Sequence, residues 1–345
     1  MKKILIIALI FVLAVSTPAS ATIRWRAVTH VMAGTEQFRI VEQFVETVRI
    51  LSQGELIIEP FAAGILFPVS ETFDSLALGV VEVSMVYSGW WVGRDPTFML
   101  TSRLGCPVQS WSEGARIEEL LEDFYTELYA RFGKQYLGHL HVAPIPEQIL
   151  SVVPINSLED LRGIRMRAAG VPTRFYAELG ANVMTVAAPE LYVAFQTRTV
   201  DAAEYTHWDE HTHMNLQEVV SYVVDPAPHV GPRENLPLVV NQESWDALPE
   251  HLRHIVIVAR DQARYRSAMT HNAEMIAREV WANNPNITIT RFSPEEEREA
   301  RALGQRMMIE MAESVEGGMQ FLEIYRNALW ELGYREEAIN LGFEE

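Results

Sequence analysis

Between Asn156 and Tyr205 the chain alternates short strand and short helix without interruption, and few folds accommodate that rhythm. Ser157 stands where a helix cap belongs, with Asp160 three residues on. Ile164-Arg165-Met166-Arg167 then reads as a short strand, with Ile164 and Met166 on one face and the two arginines on the other. A helix over Thr173–Leu179 stops at Gly180, a strand covers Asn182–Val186, a helix runs from about Pro189 to Thr197, and Val200–Tyr205 is again extended. Strands and helices alternating at this spacing build a parallel α/β sheet, which binds ligands in the crevice beyond the carboxyl ends of its strands. Arg167 and the Glu204-Tyr205 pair fall at such ends. They are the leading candidates to line a pocket for a small organic acid.

A second run of the same kind precedes it. Ile23–Val28 alternates Arg24 and Arg26 outward with Ile23, Trp25 and Ala27 inward, and it delivers Thr29-His30 to its carboxyl end. A helix over Thr35–Leu51 carries Phe38, Val41, Phe44, Val45 and Val48 on one face, followed by a strand at Leu56–Phe61, a helix at Ser70–Leu78 and a strand at Val81–Tyr87. The expected fold class is therefore α/β with two lobes. The aromatic loop after Tyr87 holds Trp90 and Trp91, and neighbours on an extended segment diverge. One of them then faces the cleft as an apolar wall with an N–H donor, or else both pack between the lobes. Ser112–Phe132 reads as one helix, Gln135–Ile145 and Gln148–Val153 as strands, and the chain crosses between lobes about there. It returns near Pro228–Pro237. A helix opening at Pro249 can run unbroken to about Ala282, and its roughly 34 positions would span about 50 Å, longer than one lobe. Ser293-Pro294-Glu295-Glu296 opens a further helix, and Gly318–Leu332 another with an apolar set that permits a homodimer through the C-terminal helices. The expected division is 22–146 with 234–265 as lobe I, and 147–233 with 266–345, including the C-terminal helices, as lobe II.

Residues 1–21 read as a targeting segment: Lys2 and Lys3, an apolar run Ile4–Val15, and the small-residue site Ala19-Ser20-Ala21. A run of about twelve is short for a membrane span of about 20. The expected location is the periplasm. Without Lys2 and Lys3 the formal charge goes from −18 to −20, with 26 basic against 46 acidic residues. That balance excludes nucleic acid as a partner, since phosphates need a basic face. An acidic protein that binds an acid has to concentrate positive charge locally, so single arginines matter more than the net charge. Cys106 is the one cysteine, so no intramolecular disulfide forms and the core carries the stability. The chain has no Gly-x-Ser-x-Gly elbow, no Gly-x-Gly-x-x-Gly, no Walker loop and no His-Glu-x-x-His, and no catalytic residues are assigned. The cluster His207-Trp208-Asp209-Glu210-His211-Thr212-His213 puts His207 and His211 on one helical face. It reads either as a polar rim from which Trp208 reaches the ligand, or, with His213, as the site of a periplasmic metal-binding protein.

The chain resembles the extracytoplasmic substrate-binding subunits of tripartite ATP-independent periplasmic (TRAP) transporters, the DctP type. The residues that carry the resemblance are Gly54-Glu55-Leu56 with Ile58-Glu59-Pro60-Phe61-Ala62-Ala63-Gly64, Gly79-Val80-Val81-Glu82, and Asn156 through Arg167. Leu179-Gly180-Ala181, Pro189 through Thr197, Val200 through Glu204 and Val240-Asn241-Gln242-Glu243-Ser244-Trp245 complete the ordered set, which extends over nearly all of the chain after the targeting segment. The aromatic loop and the tail are most similar to the branch that binds α-keto and hydroxy acids. The resemblance implies a hinged, two-lobed periplasmic-binding-protein fold that closes on a carboxylate and delivers it to a membrane permease. It implies that Arg167 grips the carboxylate, that Glu204 and Tyr205 line the pocket, and that a glutamine before the crossing strand, Gln148, joins them. It requires no cofactor and allows a sodium or calcium ion to bridge the ligand. Two positions depart from the pattern: the glutamate expected in the return segment is displaced to Glu234, in His229-Val230-Gly231-Pro232-Arg233-Glu234, and the Gly after Gln-Thr is Arg198.

Overall fold

A computed structural model of the chain describes residues 22–232 and 234–343, so the targeting segment read at 1–21 lies outside the described residues. The chain enters through β1 (Ile23–Thr29), α1 (Glu36–Leu51), β2 (Leu56–Phe61), α2 (Thr72–Ala77) and β3 (Val83–Met85). Thr35 caps α1 by accepting the Phe38 N–H at 3.2 Å, and the face expected from the sequence, Phe38, Val41, Phe44, Val45 and Val48, is buried. A 3₁₀ turn at Pro96–Ser102 leads to α3 (Trp111–Leu120) and α4 (Glu122–Ala130), two helices broken at Leu121 where the sequence suggested one. β4 (Lys134–Val142) then hands the chain to a second sheet.

That part contains β5 (Gln148–Ser151), β6 (Arg165–Arg167), α5 (Pro172–Glu178), β7 (Asn182–Met184), α6 (Leu191–Gln196), β8 (Ala202–Tyr205), α7 (Trp208–His213) and β9 (Tyr222–Val224). The chain returns with β10 (Glu234–Asn241), α8 (Gln242–Ala247) and α9 (Glu250–Ser267). It crosses again with α10 (Thr270–Ala282) and β11 (Thr288–Thr290), and ends in α11 (Pro294–Glu313), α12 (Gly318–Glu331) and α13 (Arg335–Asn340). The first sheet has the order β2-β1-β3-β10-β4 and the second β11-β9-β5-β8-β6-β7. β1 lies parallel to β2 and β3, and β6 parallel to β7 and β8, as the alternation requires. The strands next to the crossings, β5 and β10, run antiparallel to their neighbours.

Local signals hold with adjustments. Ser157 and Asp160 form a reciprocal capping box, but the turn they open, Leu158–Leu161, is a single 3₁₀ turn. The long helix is interrupted at Ala268–Met269, so the unbroken helix expected from Pro249 to Ala282 is corrected to two. At the break the Ser267 hydroxyl donates to the Arg264 carbonyl (2.7 Å) and Thr270 Oγ1 to the Ser267 carbonyl (2.6 Å). Such side-chain bonds compete with the helical ladder. α9 packs on α1 and β4, and α10 on α7, so the pair passes from one lobe to the other. The apolar tail residues Phe321, Leu322, Tyr325 and Leu329 are buried within the chain, with α12 against α3 and α11 against both the Pro96–Ser102 turn and α5.

Candidate ligand-binding site

The two lobes enclose a cavity of about 270 Å³ at the carboxyl ends of their strands. His30, just past β1, and Tyr87 and Trp90, past β3, form one wall. Arg167 at the end of β6, Glu204 and Tyr205 at the end of β8, and Glu147 before β5 form the other. The lobes meet beside it: the Asp209 carboxylate of α7 accepts the Glu36 N–H of α1 at 3.1 Å, and a Cβ on Gly170 would meet the Gly89 carbonyl oxygen at 3.7 Å.

Arg167 is 4 % exposed and held by main chain. Its Nε donates to the Val186 carbonyl (3.0 Å) and its Nη1 to the Glu204 carbonyl (2.7 Å), with the Glu204 carboxylate 3.6 Å away. The Tyr205 ring lies under the guanidinium, 5.3 Å from Cζ to the centroid. Its other terminal nitrogen makes no hydrogen bond among the described residues, which leaves a donor for a guest. A fork fixed in this way presents charge and direction together. Its strand neighbour Arg165 is exposed and spent on Asp201, at 2.6 and 3.0 Å.

Beside Arg167, the carboxylates of Glu147 and Glu204 converge on His229. His229 Nε2 lies 3.5 Å from Glu147 Oε2 and 3.6 Å from Glu204 Oε1. Burial raises the Glu204 carboxyl above its usual value. Burial also works to lower the His229 pKa, but the nearby carboxylates of the two glutamates outweigh it and hold the imidazole above its usual value. On the far side of the pocket the Tyr205 hydroxyl donates to Glu210 at 2.8 Å, and burial pushes Glu210 up to about 7.

The family model of bacterial extracellular solute-binding proteins, family 7 (DctP), matches residues 28–314. The chain belongs to that family. A curated relative from Nostoc sp., named a monocarboxylate 2-oxoacid-binding periplasmic protein, is 24% identical over 252 residues, 70% of this chain and 66% of its own. The chain thus spans just under two thirds of that relative's length. A TRAP periplasmic solute-binding protein from Pseudoalteromonas atlantica, solved with sodium and pyruvate, superposes with a TM-score of 0.79 at 21% identity, covering 94% of this chain and 100% of its own. A Bordetella pertussis extracytoplasmic solute receptor binding pyroglutamic acid gives 0.77 at 23% identity, over 88% of this chain and 99% of its own. Members of this family are transport receptors rather than enzymes, and they are periplasmic; among the described residues no helix is long and apolar enough to cross a membrane.

Within this DctP-family fold, several residues singled out in the sequence stand elsewhere than expected. Trp208 does not reach the cavity: it is fully buried, edge-on to Trp281 at 5.5 Å, because the apolar face of α7 closes the second-lobe core. Trp91 is buried against Phe73 at 5.2 Å, so of the adjacent pair only Trp90, 45 % exposed, lines the cleft. Gln148 is turned away from the cavity, its amide donating to the Pro146 carbonyl at 2.7 Å. Glu147 takes the lining position instead, since side chains of adjacent residues in an extended segment point to opposite faces.

The histidine cluster does not converge on a common point. His207 bonds the Thr206 hydroxyl (2.9 Å), and His211 contacts the Tyr205 carbonyl (3.2 Å) between Trp208 and Trp281. His213 faces Asp209, 3.9 Å away. Burial pushes His211 down to about 3, so it stays neutral. Among the described residues the only three His, Cys or carboxylate groups within ligand range of one another are Glu147, Glu204 and His229. Sequence reasoning missed Glu147 by one residue of register. It named His229 only as part of a departing segment, since nothing local ties that residue to β8.

Proposed function

We propose that this chain is the extracytoplasmic receptor of a TRAP transporter that captures a small monocarboxylic acid, keto, hydroxy or aromatic, between its lobes and presents it to a membrane permease. Arg167 carries the reading: it is a buried guanidinium held by two main-chain carbonyls on the wall of an interlobe cavity. A volume of about 270 Å³ falls just under the ~300–1,000 Å³ of drug-sized sites, which suits a guest of few heavy atoms. Tyr87, Trp90 and Tyr205 supply an aromatic surround for the part of the guest away from its carboxylate. The 2-oxoacid, pyruvate and pyroglutamate bound by similar proteins support the same class. Lobe I then comprises 22–146 with 234–265 and lobe II 147–233 with 266–345, the C-terminal helices also packing on α3 and the Pro96–Ser102 turn of lobe I, and the crossings and the α9–α10 break act as the hinge.

A sodium or calcium ion bridging the acid would have to use Glu147 and Glu204. Hard cations prefer several oxygen ligands, and two of the three groups within ligand range here are carboxylates while the third is the His229 imidazole nitrogen, a set that suits sodium or calcium only in part.

A thermal-shift panel of keto, hydroxy and aromatic monocarboxylates tests the reading. A cognate acid at 100 times its Kd adds ~2.7 kcal/mol to the folded state and raises the melting temperature accordingly. The reading fails if no acid of the panel shifts the melting curve, or if Arg167→Ala is shifted as much as the parent.

A further inference from the structure

Arg167 is one pole of the cavity, and a carboxylate is the other. Glu210 of α7 lines the same cavity, is 5 % exposed, and its Oε1 accepts the Tyr205 hydroxyl at 2.8 Å. Its Oε2 accepts no hydrogen bond, and no cation pairs with it, among the described residues. Its charged neighbours Asp209 and Glu274 are acidic too. Tyr205 stands between the poles: the Arg167 guanidinium lies over its ring, 5.3 Å from Cζ to the centroid, and Glu210 sits at its hydroxyl. The helix that carries Glu210 is anchored as well, the Asp209 N–H donating to Glu274 of α10 at 3.0 Å. Both poles are therefore placed before a guest arrives.

We propose that Glu210 is the second anchor of the cleft, accepting a hydrogen bond from a hydroxyl or ammonium group of the guest, so that the chain takes hydroxy or amino acids in preference to keto acids. This narrows the acid-binding reading of the cavity, on which it rests, to one substrate class. A keto acid satisfies Arg167 with its carboxylate, but its ketone is a further acceptor and leaves Glu210 without a donor. A desolvated acceptor left unmet costs binding, and a site built around a hydrogen bond rejects the analogue that lacks it. A guest with an O–H or N–H group a few bonds from its carboxylate meets both poles at once. The two donors differ in charge. Among the described residues that line the cavity, the one guanidinium of Arg167 stands against three carboxyl groups, Glu147, Glu204 and Glu210. A hydroxyl completes only the hydrogen bond, whereas an ammonium also brings positive charge to that excess and forms the stronger, charge-assisted bond.

The test compares guests of equal carbon count. The full folded chain is titrated calorimetrically with lactate, alanine, pyruvate and propionate, once with EDTA and once with CaCl₂, so that an ion held by Glu147 and Glu204 does not by itself set the ratios. Lactate or alanine should bind at least ~10-fold more tightly than pyruvate and propionate in both buffers, the loss expected for a buried acceptor without its donor. Glu210→Leu should bring all four acids to within about twofold of one another. Glu210→Gln keeps an acceptor without the charge, and so separates the two donors: it should spare lactate and weaken alanine. Pyruvate bound as tightly as lactate and alanine in either buffer overturns the proposal, as does a preference that Glu210→Leu leaves unchanged. The parent ratios decide the matter even if a variant fails to fold. If Arg167→Ala abolishes binding of acids among which the parent does not discriminate, the role of Glu210 is refuted and the acid-binding reading stands. If neither these acids nor the wider panel bind, both fall together.

Discussion

Arg165 and Arg167 stand two residues apart on β6 and do different work. Arg165 forms a bidentate pair with Asp201 at the surface, where water screens it. Arg167 is enclosed, and with two of its nitrogens fixed by carbonyls it is oriented before any guest arrives. Losing one partner of such a buried charge pair costs ~2–5 kcal/mol, or roughly 30- to 4000-fold in affinity. Calorimetry on Arg167→Ala should show a loss in that range for the cognate acid, and Arg165→Ala should bind within about twofold of the parent, a change worth well under 1 kcal/mol. The tryptophan pair divides in the same manner. Trp91→Ala empties a buried site against Phe73 and should lower the free energy of unfolding by ~3–5 kcal/mol in a denaturant titration. Trp90→Ala should instead weaken the acid while leaving the denaturation midpoint nearly unchanged, because its side chain is half in solvent.

At the scale of elements, α7 shows how a short helix is held in place. Glu274 of α10 accepts the Asp209 N–H at 3.0 Å, and burial pushes its carboxyl up from 4.5 to about 8, helped by the nearby Asp209 and Glu210. The unfolded chain releases that proton near pH 4.5 and the folded chain holds it to about 8. The folded state therefore binds more protons in that window, and stability falls as pH rises through it. Glu210, pushed up to about 7 by burial, acts in the same direction. Melting temperatures measured from pH 5 to pH 8 should decline, and Glu274→Gln, which keeps an acceptor without the charge, should flatten the decline. An unchanged slope would place the titration elsewhere. α11 is set by steric fit: a Cβ on Gly304 would come within 2.5 Å of the Gly105 backbone nitrogen. Gly304→Ala should consequently destabilise the fold by ~1–3 kcal/mol, read as an earlier urea midpoint.

For the whole molecule the cleft is the functional variable. The lobes touch at Asp209 with α1 and at Gly170 with Gly89, and Arg167 lies on the wall of the cavity between them. A guest that contacts both walls favours a closed arrangement of the lobes by its differential affinity for it. Small-angle scattering should therefore give a smaller radius of gyration with saturating acid than without it. An identical radius in both states, alongside calorimetric binding, would mean that the cavity fills without lobe motion.

Much of this was legible in the residues alone, because the rules that wrote it act over a few positions. Strand alternation placed Arg167, Glu204 and Tyr205 at sheet ends, Ser157 and Ser293 capped as their spacing required, and the ordered motifs marked the family. What needed the tertiary structure was which side of each element meets which distant segment. The helical face that carries Trp208 turned into the core, one residue of register exchanged Gln148 for Glu147, and Ser267 and Thr270 divided the long helix. His229 comes within 3.6 Å of Glu147 and Glu204 only because the folded chain brings the return segment to two carboxylates that are distant in sequence. Spacing and capping are local quantities that a sequence states directly. Charge pairing and burial depend on which segments pack together, and only the folded chain decides that.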